Sequence, residues 1–133
     1  MNSPQISNPQ VFISYSMGDA DWARSFAEAL GQRGVRVWLD QLQVAPGESV
    51  RDALELGLRE SDVLVTLIDP GLSLNPNRFF ELGAAIGMGK RVVAIVPREL
   101  DASKLPFELR SRRYLVKDSP EDTAEELAHA LAA

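Results

Sequence analysis

Apolar residues along the chain are concentrated in five short runs that have the composition of β-strands. The run at 62–68 is nearly continuous in Val, Leu and Ile, which is typical of a strand buried on both faces of a sheet. The run at 91–96 ends at Pro97, which cannot continue a strand interior. The five predicted strands are VFISYS (11–16), VRVWL (35–39), DVLVTLI (62–68), RVVAIV (91–96) and RYLV (113–116).

The segments between these runs have apolar residues at helical spacing. The first predicted helix begins at Asp19 and places Trp22, Phe26 and Leu30 four residues apart on one face. Serine and proline in cap positions indicate where other helices start. The predicted helices cover 19–32, a segment that begins at Ser49, about 78–89, and the end of the chain from Ser119.

Strands that alternate with helices predict an α/β fold. We expect a flavodoxin-like three-layer sandwich: a five-stranded parallel sheet of order 2-1-3-4-5 with helices on both faces. Ligands bind such sheets outside the carboxyl ends of the strands, where the strand order reverses. This places 14–19, 40–49 and 69–81 around one crevice. In the second segment, Pro46–Gly47 suits a type II turn, because glycine accepts the positive φ that the turn requires.

Composition and charge exclude several classes of protein. With 133 residues, of which 45% are hydrophobic and 25% charged, the chain is long enough for one domain with a real core. The net charge of −5 argues against general affinity for nucleic acid or anionic membranes. Apolar runs are far shorter than the roughly 20 residues of a membrane helix. Residues 1–9 are predicted to be a polar lead-in without a secretory signal, followed by one domain at 10–133, and we expect a cytoplasmic protein.

The residue types that are missing narrow the chemistry. The chain has no cysteine, which excludes thiolate nucleophiles and cysteine-ligated zinc, and its single histidine, His129, lies in an alanine-rich helix. A histidine triad and a multi-histidine metal site are therefore excluded. Neither of two common phosphate-binding patterns, G-x-x-x-x-G-K-[ST] and G-x-G-x-x-G, follows the first strand. We expect no metal and no cofactor.

The segment FFELGAAIGMG (79–89) contains one charged side chain, Glu81. Two interpretations stay open on physical grounds. A glutamate in the first turn of a helix complements the helix dipole, which contributes about 0.3–1 kcal/mol, and can simply face water. Alternatively, the helix is apolar all round and should be largely buried, so a carboxylate near its start would face a cleft at the sheet edge.

Other candidate positions have simpler explanations. Asp19 and Asp21 could suggest a cation site, but helix capping explains both. Asp69 follows the third strand, where a response regulator has its phosphorylated aspartate, but no paired acids follow the first strand. Trp38 is expected to pack half-buried on the sheet. Its place just before the loop at 40–49 also makes it a candidate to line the crevice.

Together these motifs resemble a TIR (Toll/interleukin-receptor) domain in its bacterial form. VFISYS followed by D-x-D-W-A resembles the first family box, and GVRVWLD with its PG-containing loop resembles the second box and the BB loop. SDVLVTLI followed by FFELGAA resembles the third strand and the helix that carries the family's catalytic glutamate. The similarity covers nearly the whole chain, from 10 to 132.

The resemblance implies an enzyme that cleaves NAD+, its substrate, at the nicotinamide–ribose bond, and Glu81 matches the essential glutamate. Nicotinamide leaves as a neutral molecule, so the leaving group needs no general acid. The positive charge that develops on the ribose can be stabilised by one carboxylate, through its field, a hydroxyl contact or transient bonding. ADP-ribose and a cyclic ADP-ribose are both open as products.

The resemblance also implies a set of substrate-binding residues. Tyr15 and Ser16 would line the ribose and nicotinamide region, and Asp40 and Gly47 would border it from the BB loop. The family often has tryptophan four residues before the glutamate, whereas this chain has Asn77. The segment around Asn77 is also similar to nucleoside deoxyribosyltransferases, which leaves glycosyl transfer between nucleosides as a third function.

TIR NADases generally become active when TIR domains assemble. The resemblance therefore implies self-association through the BB loop at 40–49. It further implies an effector role in bacterial anti-phage defence and a sensor domain elsewhere in a longer protein. The competing function is a non-catalytic adaptor that binds other TIR domains through the same loop.

Overall fold

Strands and helices alternate along the chain, as the hydrophobic pattern predicts. A computed structural model describes residues 9–39, 47, 49–69, 76–105, 109 and 114–132. The strands are β1 (Gln10–Ser14), β2 (Arg36–Leu39), β3 (Val63–Leu67), β4 (Arg91–Val96) and β5 (Leu115–Val116), and the helices are α1 (Ala20–Gln32), α2 (Val50–Glu60), α3 (Pro76–Gly87) and α4 (Pro120–Ala132). Short 3₁₀ turns lie at Met17–Asp19 and Ala102–Lys104.

The five strands form one parallel sheet in the order β2-β1-β3-β4-β5, which confirms the predicted order. β1 lies between β2 and β3, and its Val11 is in register with Val37 on one side and Val63 on the other. β5 is shorter than predicted and is in register with β4 at Leu115 and Val116, and the N–H of Lys117 donates a hydrogen bond of 2.8 Å to the carbonyl oxygen of Val96. Parallel neighbours need crossover connections, and among the described residues α1, α2 and α3 provide those from β1 to β4.

Side chains of the sheet alternate between two hydrophobic cores. Ile13 of β1 packs on the side covered by α1 and α4, here called the α1/α4 face, whereas Phe12 packs on the opposite α2/α3 face. Every residue of β3 is buried, which explains why its sequence is a continuous apolar run. The α1/α4 face includes Phe26, Leu30 and Leu127, and the α2/α3 face includes Leu58, Leu64 and Ala85.

The helix α1 presents the predicted apolar stripe to the sheet. Phe26 and Leu30 are fully buried. Trp22 is half-buried and stacks on Phe26, with ring centroids 5.0 Å apart. In the part of the chain that the structure describes, no helix is long and apolar enough to cross a bilayer.

Trp38 of β2 packs on the α2/α3 face, half-buried as predicted. Its ring stacks on Phe12, with centroids 4.6 Å apart and planes 11° from parallel. A Cβ atom added to Gly57 of α2 would lie 2.7 Å from the Cε2 atom of Trp38 and 3.0 Å from the Cε2 atom of Phe12. Gly57 is therefore the residue that allows α2 to lie directly against the indole.

Candidate active site

The strand order reverses between β1 and β3, so the crevice predicted for this fold lies at the carboxyl ends of these two strands. The last register pair of the two strands is Ser14 with Thr66. The residues that follow, 15–19 after β1 and 68–69 after β3, are therefore neighbours at the same sheet edge. This places two of the three predicted crevice segments side by side.

Glu81, the candidate catalytic residue, lies in the second turn of α3. The helix begins at Pro76, a residue that suits the first helical position, and Glu81 is its sixth residue. The prediction of a first-turn glutamate is wrong, because the helix starts two residues before the predicted 78. The helix dipole acts within the first turn, so the interpretation of Glu81 as a dipole partner loses its physical basis. The side chains of Glu81 and Asn77 lie outside the described residues.

The helix α3 has one buried side and one exposed side. Ala85 is fully buried, whereas Gly83 and Gly87 are exposed. Gly83 and Gly87 depart from the expectation of a largely buried helix, because glycine counts as apolar in a sequence but also suits a solvent-facing surface. Position 81 lies one helical turn before Ala85 and thus in the same row of the helix. Leu82, Ala84 and Ile86 are half-buried.

Tyr15 and Ser16 follow β1 at the sheet edge where the crevice is predicted. Tyr15 is 4% exposed and belongs to the core of the α1/α4 face. Ser16 is half-buried and precedes the 3₁₀ turn Met17–Asp19, and its carbonyl oxygen accepts a hydrogen bond of 2.9 Å from the backbone N–H of Asp19. Substrate contact by either residue remains a prediction.

Asp19 forms an ion pair that the sequence did not predict. It occupies the N-cap position of α1, but its side chain makes no capping hydrogen bond. Its Oδ1 atom instead lies 3.2 Å from Nζ of Lys117, just after β5. The capping explanation is therefore wrong for the Asp19 side chain. Asp21 is fully exposed and lies 3.7 Å from Arg24.

Lys117 and Trp22 complete a small polar cluster with Ser16 and Asp19, here called the Asp19 cluster. The Lys117 ammonium lies 5.1 Å from the centroid of the Trp22 ring, within range of a cation–π contact. The indole N–H of Trp22 donates a hydrogen bond of 3.1 Å to the carbonyl oxygen of Asp118. The cluster thus joins the end of β1 and the start of α1 to the segment between β5 and α4.

The loop at 40–49 is described at Gly47 and Ser49. Gly47 has φ of 88°, the left-handed conformation required of it in the predicted type II turn. Asp40 lies outside the described residues. Across the described residues, no group of three or more histidine, aspartate and glutamate side chains could hold a metal ion.

The family model of the TIR domain matches residues 11–132. The chain belongs to the TIR domain family. The match extends from β1 to the last residue of α4, so the parallel sheet, the crevice and Glu81 all lie within the TIR domain.

Curated relatives of this TIR domain include enzymes named for their action on NAD+ or for an ADP-ribose product. It is 26% identical over 127 residues to the 2′ cyclic ADP-D-ribose synthase AbTIR of Acinetobacter baumannii (strain 1295743). The aligned segment covers 92% of this chain and 47% of the relative. It is 33% identical over 72 residues to the NAD(+) hydrolase TcpA of Theionarchaea archaeon (strain DG-70-1), which covers 53% of this chain and 20% of the relative. The chain spans less than half the length of either relative.

A solved TIR domain has the same fold. The TIR domain of the Toll-related receptor TRR-2 from Hydra magnipapillata matches with a TM-score of 0.73 and 17% identity, covering 92% of this chain and 98% of the other. At that identity the similarity establishes the fold alone. It confirms the flavodoxin-like arrangement expected from the order of strands.

Proposed function

We propose that this TIR domain cleaves NAD+ between nicotinamide and ribose, with Glu81 as the catalytic carboxylate. The observation that carries the proposal is the position of Glu81 in the second turn of α3, beyond the first turn where the helix dipole would explain it. The helix follows β3, one of the two strands whose ends form the crevice. The names of the two curated relatives, a cyclic ADP-ribose synthase and an NAD+ hydrolase, support the same chemistry.

The reaction makes few demands on the protein. As the bond between ribose and nicotinamide breaks, its electron pair stays with nicotinamide, which leaves as a neutral molecule. The positive charge left on the ribose is stabilised by the Glu81 carboxylate, most effectively where water is excluded. Water then adds to the ribose carbon and loses a proton to give ADP-ribose. Attack by a hydroxyl group of the same molecule, with loss of its proton, gives a cyclic ADP-ribose instead.

The remaining substrate contacts are part of the same proposal. Ser16 offers a half-buried hydroxyl at the end of β1. Asp40 and Gly47 border the substrate from the loop at 40–49, and Asn77 replaces the aromatic residue that often stacks on it in this family. Tyr15 and Trp38, which are packed into the two cores, support the walls of the crevice.

Activity is proposed to depend on self-association through the loop at 40–49. The positive φ of Gly47 in this loop is a backbone conformation that other residues adopt at a cost. The rate per molecule should rise with protein concentration. A rate strictly proportional to concentration, from dilute to crowded solution, would contradict this part of the proposal.

The test measures NAD+ consumption by concentrated or artificially clustered protein. Wild type is compared with Glu81→Gln and Glu81→Ala, and products are resolved by chromatography. Glu125→Gln is the matched control, because it removes one carboxylate from an exposed position of α4. We expect both Glu81 variants to lose nicotinamide release by at least about a hundredfold, the usual scale for a key electrostatic group, and the control to retain it.

Two results would overturn the proposal. Full activity in Glu81→Gln would remove the assigned catalytic group. Absence of nicotinamide release from wild type under every clustering condition would favour the adaptor function, in which the loop at 40–49 binds other TIR domains without catalysis. Base exchange between nucleosides in the absence of NAD+ would instead indicate glycosyl transfer. Circular dichroism establishes that each variant is folded.

The biological role that we propose is a cytoplasmic effector that depletes NAD+ in bacterial anti-phage defence. A sensor domain in a longer protein would control its assembly, in keeping with relatives that are at least twice as long as the matched segment. Bacteria that express the full-length protein should show fewer plaques after phage infection, and Glu81→Gln should abolish this protection. Equal protection by the variant would argue for a role without catalysis.

A further inference from the structure

The turn between β1 and α1 is held by polar contacts, since hydrophobic packing does not account for its position. None of the three residues of the 3₁₀ turn Met17–Asp19 is buried. The Met17 side chain is 70% exposed, and a Cβ atom added to Gly18 would meet nothing within 4 Å. The position of this crevice segment therefore depends on the contacts of Asp19.

The Asp19 carboxylate uses its two oxygens for two different partners. Oδ1 pairs with Nζ of Lys117 at 3.2 Å, and Oδ2 lies 3.4 Å from Oγ of Ser16, which donates to it. The Asp19 side chain is 14% exposed and that of Lys117 is 27% exposed. Salt screens such a partly buried pair less than it screens a pair on the open surface.

The Lys117 ammonium is itself held in place from the opposite side. It lies over the Trp22 ring, and the Trp22 indole is fixed by its hydrogen bond to Asp118. A lysine side chain has considerable rotamer freedom, so two partners are needed to keep its charge at one point. The order of contacts runs from Trp22 through Lys117 and Asp19 to the hydroxyl of Ser16.

The 3.4 Å contact with Oδ2 of Asp19 favours Ser16 Oγ as a hydrogen-bond donor to the carboxylate. A serine hydroxyl has one hydrogen to donate and two lone pairs to accept. With its hydrogen directed to Asp19, the Ser16 oxygen presents acceptor capacity to a ligand. The hydroxyls of ribose and the carboxamide NH₂ of nicotinamide are donors of the matching kind.

We infer that Asp19 and Lys117 are positioning residues that hold Ser16 as a hydrogen-bond acceptor for a ribose hydroxyl or the nicotinamide amide. The inference rests on the proposed NAD+ cleavage. It adds an explanation of how the protein binds NAD+, through a hydrogen bond accepted by Ser16. Neither residue touches the reacting atoms. Their loss should therefore weaken binding of NAD+ and leave the bond-breaking step, which depends on Glu81, nearly unchanged.

The test compares KM and kcat for NAD+ in Lys117→Met, Lys117→Arg, Asp19→Asn and Ser16→Ala. Lys117→Met removes the charge and keeps the apolar stem, whereas Lys117→Arg keeps the charge and the contact with Trp22. The matched control is Arg24→Met, which breaks an exposed ion pair of the same helix. All variants are assayed at one protein concentration after sedimentation has shown equal assembly.

We expect Lys117→Met and Asp19→Asn each to raise KM about tenfold, the effect of losing one hydrogen bond to a charged group, with kcat little changed. Lys117→Arg and Arg24→Met should stay near wild type. Ser16→Ala should raise KM to a similar extent, and Lys117→Met should add little to it, because the two changes interrupt the same chain of contacts.

Several results would overturn the inference. An unchanged KM in Lys117→Met, accompanied by a lower melting temperature, would make the Asp19 cluster purely structural while the proposed function stands. An equal rise of KM in Lys117→Arg and Lys117→Met would show that the charge is not what matters. If clustered wild type releases no nicotinamide, or Glu81→Gln releases it at the wild-type rate, the proposed function fails first and the positioning role fails with it.

Discussion

The two faces of the sheet are filled in different ways. On the α1/α4 face, large side chains such as Phe26 and Leu127 are fully buried between the helices and the strands. On the α2/α3 face, Gly57 leaves room for the Trp38 ring, and α3 buries the small side chain of Ala85. On the α1/α4 face the stacked rings of Trp22 and Phe26 both come from a helix, whereas on the α2/α3 face the stacked rings of Phe12 and Trp38 both come from the sheet.

This difference bears on the proposed site, because the segments expected on its two sides belong to different faces of the sheet. The β1 side is joined to the α1/α4 face through Asp19 and Lys117. The side that carries Glu81 belongs to α3, which rests on the α2/α3 face through small and half-buried residues. We expect the β1 side to be the more rigid of the two.

The largest expected effect on stability comes from Phe26→Ala on the α1/α4 face. It removes a fully buried ring that also stacks on Trp22, and such truncations cost about 3–5 kcal/mol of unfolding free energy. Chemical denaturation followed by circular dichroism measures the loss, with the exposed Glu28→Ala of the same helix as control. A loss below about 1 kcal/mol would mean that this face does not depend on its large side chains.

A smaller loss is expected when a methyl group is added to Gly57 on the α2/α3 face. In Gly57→Ala the new Cβ would lie 2.7 Å from the Trp38 ring, and such overpacking costs about 1–3 kcal/mol. Gly31→Ala is the matched control in α1, because a Cβ there meets nothing within 4 Å. The control should gain up to about 1 kcal/mol from alanine's helix propensity. Equal gains in both variants would contradict the close contact of α2 with the indole.

The smallest losses of stability are expected at two helix caps, one on each face of the sheet. Ser119 Oγ accepts a hydrogen bond of 3.1 Å from the N–H of Asp122 at the start of α4, and Ser49 Oγ accepts one of 3.3 Å from the N–H of Asp52 at the start of α2. Serine to alanine at either position should cost about 1 kcal/mol of unfolding free energy, with the larger loss at Ser119. Aspartate at the same positions should retain the cap. A larger loss of unfolding free energy at Ser49 than at Ser119 would contradict the expected order of the two caps.

The fold was predictable because it depends on local patterns. The continuous apolar run of β3, the stripe at Phe26 and Leu30 and the turn at Gly47 each follow from residues close in sequence. Right-handed crossovers between parallel strands leave few ways to connect such elements, which is why the strand order could be inferred.

The wrong predictions concern positions whose placement or contacts do not follow from the neighbouring residues in the sequence. The apolar run around Glu81 predicts a helix that starts near 78, whereas α3 starts at Pro76, so Glu81 lies in its second turn. Asp19 was assigned to capping because its partner Lys117 is 98 residues away and no local signal connects them. Tertiary contacts of this kind override a local preference whenever a charged partner is nearby.

The distance along the chain between Asp19 and Lys117 also has a consequence for synthesis. As the ribosome makes the domain, β1 and α1 emerge well before Lys117 and α4, which pack against them. Contacts between distant residues form late, since a long loop must close before they contribute. The turn at Met17–Asp19 therefore gains its ion pair with Lys117 only after all five strands of the sheet have been synthesised.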